Sequence, residues 1–123
     1  MAIELSDRRL NIQAGQDLTP IGCLHKAVTI NGVIAANPVA LGGFLKSKGA
    51  QGENVAIADS GVVKVFAGAA VSTVGMPVTV TTSGFVIACP VGSYMIGKAY
   101  ATAASGDLFP CLIDAANIGA YNG

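Results

Sequence analysis

One histidine, three cysteines and a few serines and aspartates are the residues of this chain that could do chemistry. A nucleophile with a general base would have to pair His25 with Ser60, Ser83, Ser105 or one of Cys23, Cys89 and Cys111, oriented by Asp59 or Asp107. None of these lies in a nucleophile elbow or any other catalytic motif. Asp59-Ser60-Gly61 and Ser105-Gly106-Asp107 read as ordinary turns, in which Asp and Ser bond nearby backbone and Gly takes positive φ. His25, between Cys23 and Lys26, reads as a surface or half-buried strand residue, and a metal held by His25 and Cys23 would still lack two ligands. No strand-to-helix transition follows Gly42-Gly43, so those glycines make no phosphate loop, and Lys98 lacks a second cation and reads as a solvated charge. The cysteines show no paired-ligand spacing and leave one thiol over in any disulfide scheme, so they are expected to be buried and reduced. The expectation is a protein without catalysis, cofactor or metal.

Composition sets the frame for the elements that carry these residues. Of 123 residues, 52% are apolar, 16 are Gly and only 11% are charged, against about 25% charged in an ordinary soluble domain. So little charge implies that something other than water covers part of the surface. Seven Lys or Arg balance seven Asp or Glu, and the basic residues are scattered, which disfavours nucleic acid as a partner. Residues 65–97 carry no charge, yet Gly68, Gly75, Pro77, Gly84, Pro90 and Gly92 break the stretch well short of the roughly 18 apolar residues of a spanning helix. No membrane partner is expected. The first 16 residues hold Glu4, Asp7, Arg8 and Arg9 with no apolar core, unlike a signal peptide, so synthesis and retention in the cytoplasm are expected unless a carrier particle takes the protein out.

Helical periodicity is absent. Short runs rich in β-branched residues alternate with Gly-containing turns about every ten residues, which predicts an all-β fold, a small sandwich or barrel of antiparallel strands and hairpins with little helix. Ala27–Ile30, Asn31-Gly32 and Val33–Ala35 predict a two-residue type I′ hairpin. Further strands are expected at Val39–Leu45, Asn54–Ala58, Val62–Phe66, Val78–Thr81, Phe85–Cys89, Tyr94–Tyr100 and Leu108–Ile113. Residues 52–63 align with residues 75–86 at both glycines, the alternating aliphatics and Ser-Gly, so each copy reads as a hairpin turning at Ser-Gly. With Lys64 set toward water, alternation turns Val55, Ile57, Val63, Val65, Val78, Val80, Val86 and Ala88 inward. It turns Phe85, Ile87 and Cys89 outward, which makes the second hairpin apolar on both sides. The organisation expected is an arm at residues 1–18, a β-rich domain at 19–113 and a tail at 114–123. The arm is expected to be mobile in solution and to order on a partner, by strand addition or in a groove.

The order and spacing of Gly52-Glu53-x-Val55-x-Ile57 with Ser60-Gly61-Val62-Val63-x-Val65, Gly75-x-Pro77-Val78 with Ser83-Gly84-Phe85-Val86, and Ile96-Gly97-Lys98-Ala99 with Ala103-Ala104-Ser105-Gly106-Asp107 resemble the capsid decoration (cement) proteins of tailed bacteriophages. The resemblance runs from about Val39 to Ile113. It implies a small β-rich virion protein, made in the host cytoplasm, that binds the outside of the mature head, often as a trimer, and stabilises the lattice against internal DNA pressure. Its partners would be the major capsid protein and two further copies of itself. The residues offered for these contacts are Ile3, Leu5, Arg8, Arg9, Leu10 and Ile12 on the arm and Phe85 and Ile87 on the second hairpin. The alternative is a non-catalytic β-domain binding a soluble ligand or cell-surface carbohydrate. Against it, the chain has no Trp and only Tyr94, Tyr100 and Tyr121 to stack on a sugar.

Overall fold

Short β-branched segments separated by Gly turns become strands where they can pair, and here they pair antiparallel. The computed structural model describes residues 7–115 and 118–121. Its strands are β1 (Asp7–Gln13), β2 (Ala27–Thr29), β3 (Leu41–Leu45), β4 (Asn54–Phe66), β5 (Pro77–Val80), β6 (Val86–Ala88), β7 (Tyr94–Met95), β8 (Gly97–Ala99), β9 (Leu108–Asp114) and β10 (Gly119–Ala120). Two short 3-10 turns, Ile21–Cys23 and Thr82–Gly84, are the helical elements among the described residues. The all-β expectation holds. Seven strands follow one another in the order β2-β3-β4-β9-β8-β5-β6, with β1 as an eighth alongside β4, while β7 and β10 form a separate pair. A bridge from Ala67 to Val86, with the Gly68 N–H donating to the Val86 carbonyl at 2.8 Å, returns β6 to the chain leaving β4. The sheet thereby almost closes into a barrel.

β4 organises the molecule, and it corrects the reading of the first repeat copy. Asn54–Phe66 does not turn at Ser60-Gly61; it is one 13-residue strand. Arg8 faces Ser60 while Arg9 faces Ala58, so Asp59 is the extra residue of a β-bulge, and Gly61 takes φ +96° just after it. One inserted residue exchanges the two faces of a strand. Before the bulge Val55 and Ile57 enter a small core with Ala14, Leu18, Val28 and Leu45. After it Val63 and Val65 enter the main core with Phe44, Val78, Val86, Phe109, Cys111 and Ile113. All four are buried as expected, but in two clusters.

The second copy does form the expected hairpin. β5 and β6 pair through Val78–Ala88, Thr79–Ile87 and Val80–Val86, and the turn uses positive φ at Ser83 (62°) and Gly84 (76°). The Asn31-Gly32 turn is wider than expected. Only Gly32 (φ +78°) is left-handed there, the Gly32 N–H donates to the Thr29 carbonyl and the Thr29 N–H to that of Val33, so the loop is Ile30-Asn31-Gly32 with a glycine bulge.

Residues 7–18 are not a free arm. β1 pairs with β4 from Asp7–Gly61 to Gln13–Asn54, and Ala14 and Leu18 are buried in the small core, so the expected boundary at residue 18 cuts through a packed unit. The pairing partner lies some fifty residues away in sequence, which local pattern does not disclose. His25 lies in a turn rather than a strand, with φ +68°.

Candidate docking surface

Several of the residues that could have served catalysis are engaged in structural contacts. His25 Nδ1 lies 3.0 Å from Lys46 Nζ, and its ring meets Phe66 edge-on at 6.1 Å. Partial burial, then the nearby Lys46 and Lys64 charges, push the His25 pKa down, which favours a neutral imidazole at pH 7. The Asp59 carboxylate is buried at 6% exposure and accepts a two-pronged bond from Arg8, Nε to Oδ1 at 2.9 Å and Nη2 to Oδ2. Those hydrogen bonds hold its carboxyl below the ordinary aspartate value despite burial. Asp107 accepts from the Ala104 N–H at 3.0 Å, and Ser105 Oγ donates to the Gly68 carbonyl at 3.3 Å. The three thiols are free; burial pushes Cys89 up and Cys111 to about 12. Among the described residues, no three His, Cys, Asp or Glu side chains gather around a common point that could hold a metal, and no helix is long and apolar enough to cross a membrane.

The expected contact residues fall in separate places. Ile3 and Leu5 lie outside the described residues. Arg8 is committed to Asp59, so it ties β1 to the bulge of its own sheet. Arg9 is exposed on β1 opposite Ala58, and Ile12 is half-buried against the small core. Leu10 is 42% exposed and lines a shallow cavity of about 250 Å³ with Ile30, Leu41 and Ala115. Ile87 is half-buried on a cleft of about 420 Å³ with Thr79, Pro38, Val39 and Tyr94, so its own chain covers part of it. Phe85 is half-buried too, its ring edge-on to Phe66 at 6.5 Å with Lys26 Nζ 5.1 Å from the ring centre.

Phe66 connects Phe85 to a surface that the sequence reading missed. β9 lies between β4 and β8, with Phe109, Cys111 and Ile113 buried and Leu108, Pro110, Leu112 and Asp114 turned out. Three of those four outward side chains are apolar, where a sheet face meeting water would alternate apolar with polar. Cross-strand register sets Val62, Leu112 and Lys98 in one row, Lys64 and Pro110 in the next, and Phe66 and Leu108 in a third. Tyr100 follows β8 and bonds the Pro110 carbonyl through its N–H at 3.0 Å. Leu108, Leu112 and Tyr100 are 40%, 47% and 49% exposed. Gly97 lets β8 lie this close to β9, since a Cβ there would fall 1.9 Å from the Leu112 carbonyl oxygen. At the Leu112 end, Ser60, Gly61, Gly97, Lys98 and Asp114 border an open cavity of about 460 Å³. The signal was in the sequence: Leu108–Ile113 is six apolar residues without a polar alternate, and two faces cannot both be core when the strand sits in a single-layered wall.

No family model matches the chain, and no curated protein matches it in sequence. Among solved structures, the crystal structure of the N base of head fiber gp8.5 of bacteriophage phi29 superposes with a TM-score of 0.62 at 14% identity, covering 93% of this chain and 99% of that one. At that identity the likeness is one of fold, and it spans essentially the whole of both chains.

Proposed function

We propose that this chain is a non-catalytic structural protein of a tailed-phage virion, bound to the outer surface of the head, where it decorates the capsid lattice and stabilises it against internal DNA pressure. The observation that carries this reading is the fold shared, nearly end to end, with the base of a phage head fiber. It agrees with the resemblance of residues 39–113 to capsid decoration proteins and with a surface that holds little charge. The partner is the major capsid protein. Apolar burial contributes about 25 cal/mol per Å², while association costs roughly 4–15 kcal/mol of translational and rotational freedom, so a single small contact holds weakly. Three copies joined as a homotrimer bind through linked contacts, each raising the effective concentration of the next. Trimer assembly is therefore part of the proposal.

The test compares heads made with and without this protein. Decorated heads should retain DNA to a higher temperature, and mass spectrometry of purified virions should find the chain in them. Equal heat resistance refutes stabilisation, and absence from virions refutes the virion role. Binding to a glycan array with none to heads would favour the carbohydrate reading instead.

A further inference from the structure

We propose that the outward face of β4, β9 and β8, running from Leu112 past Pro110 and Leu108 to Phe66 and Phe85, docks a folded protein surface whose apolar patch is flanked by carboxylates. Resting on the head reading above, that surface belongs to the capsid shell. The face is apolar along its length, and its backbone is pinned by paired strands on both sides of β9. A rigid apolar strip of this kind loses little entropy on docking.

Charge selects the occupant. Lys98 stands across from Leu112, Lys64 across from Pro110, and Lys26 over the Phe85 ring, so three of the seven basic residues line the strip. Among the described residues none of these three lysines has an ion-pair partner. Acids stand at its ends, Asp114 beyond Leu112 and Asp107 before Leu108, with none in the rows between. A second copy pressed face to face would bring lysines and apolar rows but no carboxylate to meet Lys64. A partner with acidic groups around an apolar centre satisfies both features, and like-charge juxtaposition disfavours the self-contact. An anionic membrane would also attract lysines. However, Leu108, Leu112 and Tyr100 are each about half-covered where they sit on the barrel wall, so none offers a whole side chain to an acyl layer.

The experiment uses the full chain and heads of the parent phage from which this protein has been removed. Leu108→Ser with Leu112→Ser, and separately Lys64→Glu with Lys98→Glu, should each weaken head binding at least about tenfold. These positions are exposed, so melting should stay within roughly 2–4 °C of wild type. Lys64→Arg with Lys98→Arg, which keeps the charge, should bind as wild type does, and added salt should weaken wild-type binding more than that of the Glu pair. If wild type binds heads and both disrupted pairs bind equally well, the face is wrong while the head reading stands. If wild type fails to bind heads, both fall. Two other results also overturn the proposal: loss of self-association in the Ser pair with head binding intact, which makes the occupant a second copy, and wild-type binding to phosphatidylserine vesicles in preference to heads.

Discussion

Leu18 decides whether the N-terminal segment belongs to the fold. It is fully buried among Ala14, Val28, Leu45, Val55 and Ile57, after a strand that pairs with β4 over seven residues. Leu18→Ala removes three carbon groups worth about 0.8 kcal/mol each in transfer, or roughly 2.4 kcal/mol, and the unfilled cavity raises the loss to about 3–4 kcal/mol. Against a typical stability of about 5–15 kcal/mol this is a large fraction, and for a chain of 123 residues it lowers Tm by roughly 10–15 °C. Ile12→Ala, half-buried, should lose about 1–2 kcal/mol, and Leu10→Ala, 42% exposed, less than about 1 kcal/mol. Urea unfolding followed by circular dichroism measures all three, with m-values unchanged if the folded state is otherwise intact. The graded order Leu18, Ile12, Leu10 is the signature of a segment packed into the core. Three variants indistinguishable from wild type would refute the packing and restore a free arm.

Acid should weaken the bulge. The Asp59 carboxyl titrates below its unfolded value of 3.8, so the Arg8–Asp59 pair contributes its full stability above pH 3.8 and loses it as pH falls through the depressed folded value. Calorimetry of Asp59→Asn should show lower stability at neutral pH and a shallower loss below pH 4, with the part that Asp17 owes to its Thr19 hydrogen bonds remaining in both proteins; parallel pH profiles would count against the pairing. Thiol labelling of the native protein with iodoacetamide at pH 8 should modify half-buried Cys23 first and leave Cys111 untouched until unfolding, since Cys111 is fully buried and its pKa stands near 12. Rapid loss of the Cys111 thiol in folded protein would contradict its place in the main core.

What could be read in advance was what local alternation encodes. The strands at β3, β5, β6 and β9 stand within a few residues of the positions expected, and Val63, Val65, Val78, Val80 and Val86 are buried as alternation demands. What could not be read depends on distant partners. β1 shows no clean apolar face, since Leu10 stays exposed and the strand packs chiefly through Ile12 and the residues that follow it, so Ile3, Leu5, Leu10 and Ile12 suggested an arm. The pairing of Arg8 with Asp59 joins residues 51 apart in sequence.

The two repeat copies make the same point with one motif. Both contain Ser-Gly between aliphatic runs, yet residues 81–85 turn back and residues 59–61 run on. In the second copy Ser83 and Gly84 both adopt left-handed φ, and Gly84 sits where a Cβ would meet the Ala27 backbone at 3.0 Å, so the tight turn is packed against β2. In the first copy Ser60 and Gly61 are each paired on both edges at once, with Arg8 and Asp7 of β1 on one side and Asp114 and Ile113 of β9 on the other. A residue laddered on both edges cannot be the apex of a hairpin, so the left-handed Gly61 is accommodated beside a bulge instead of closing a loop. Because β4 continues, Val62, Lys64 and Phe66 come to lie beside Leu112, Pro110 and Leu108. Had the chain turned at Ser60-Gly61, β4 would carry no residues past the bulge to complete those rows. The basic, apolar face on which docking is proposed is thus a product of the long-range pairing that overrode the local turn.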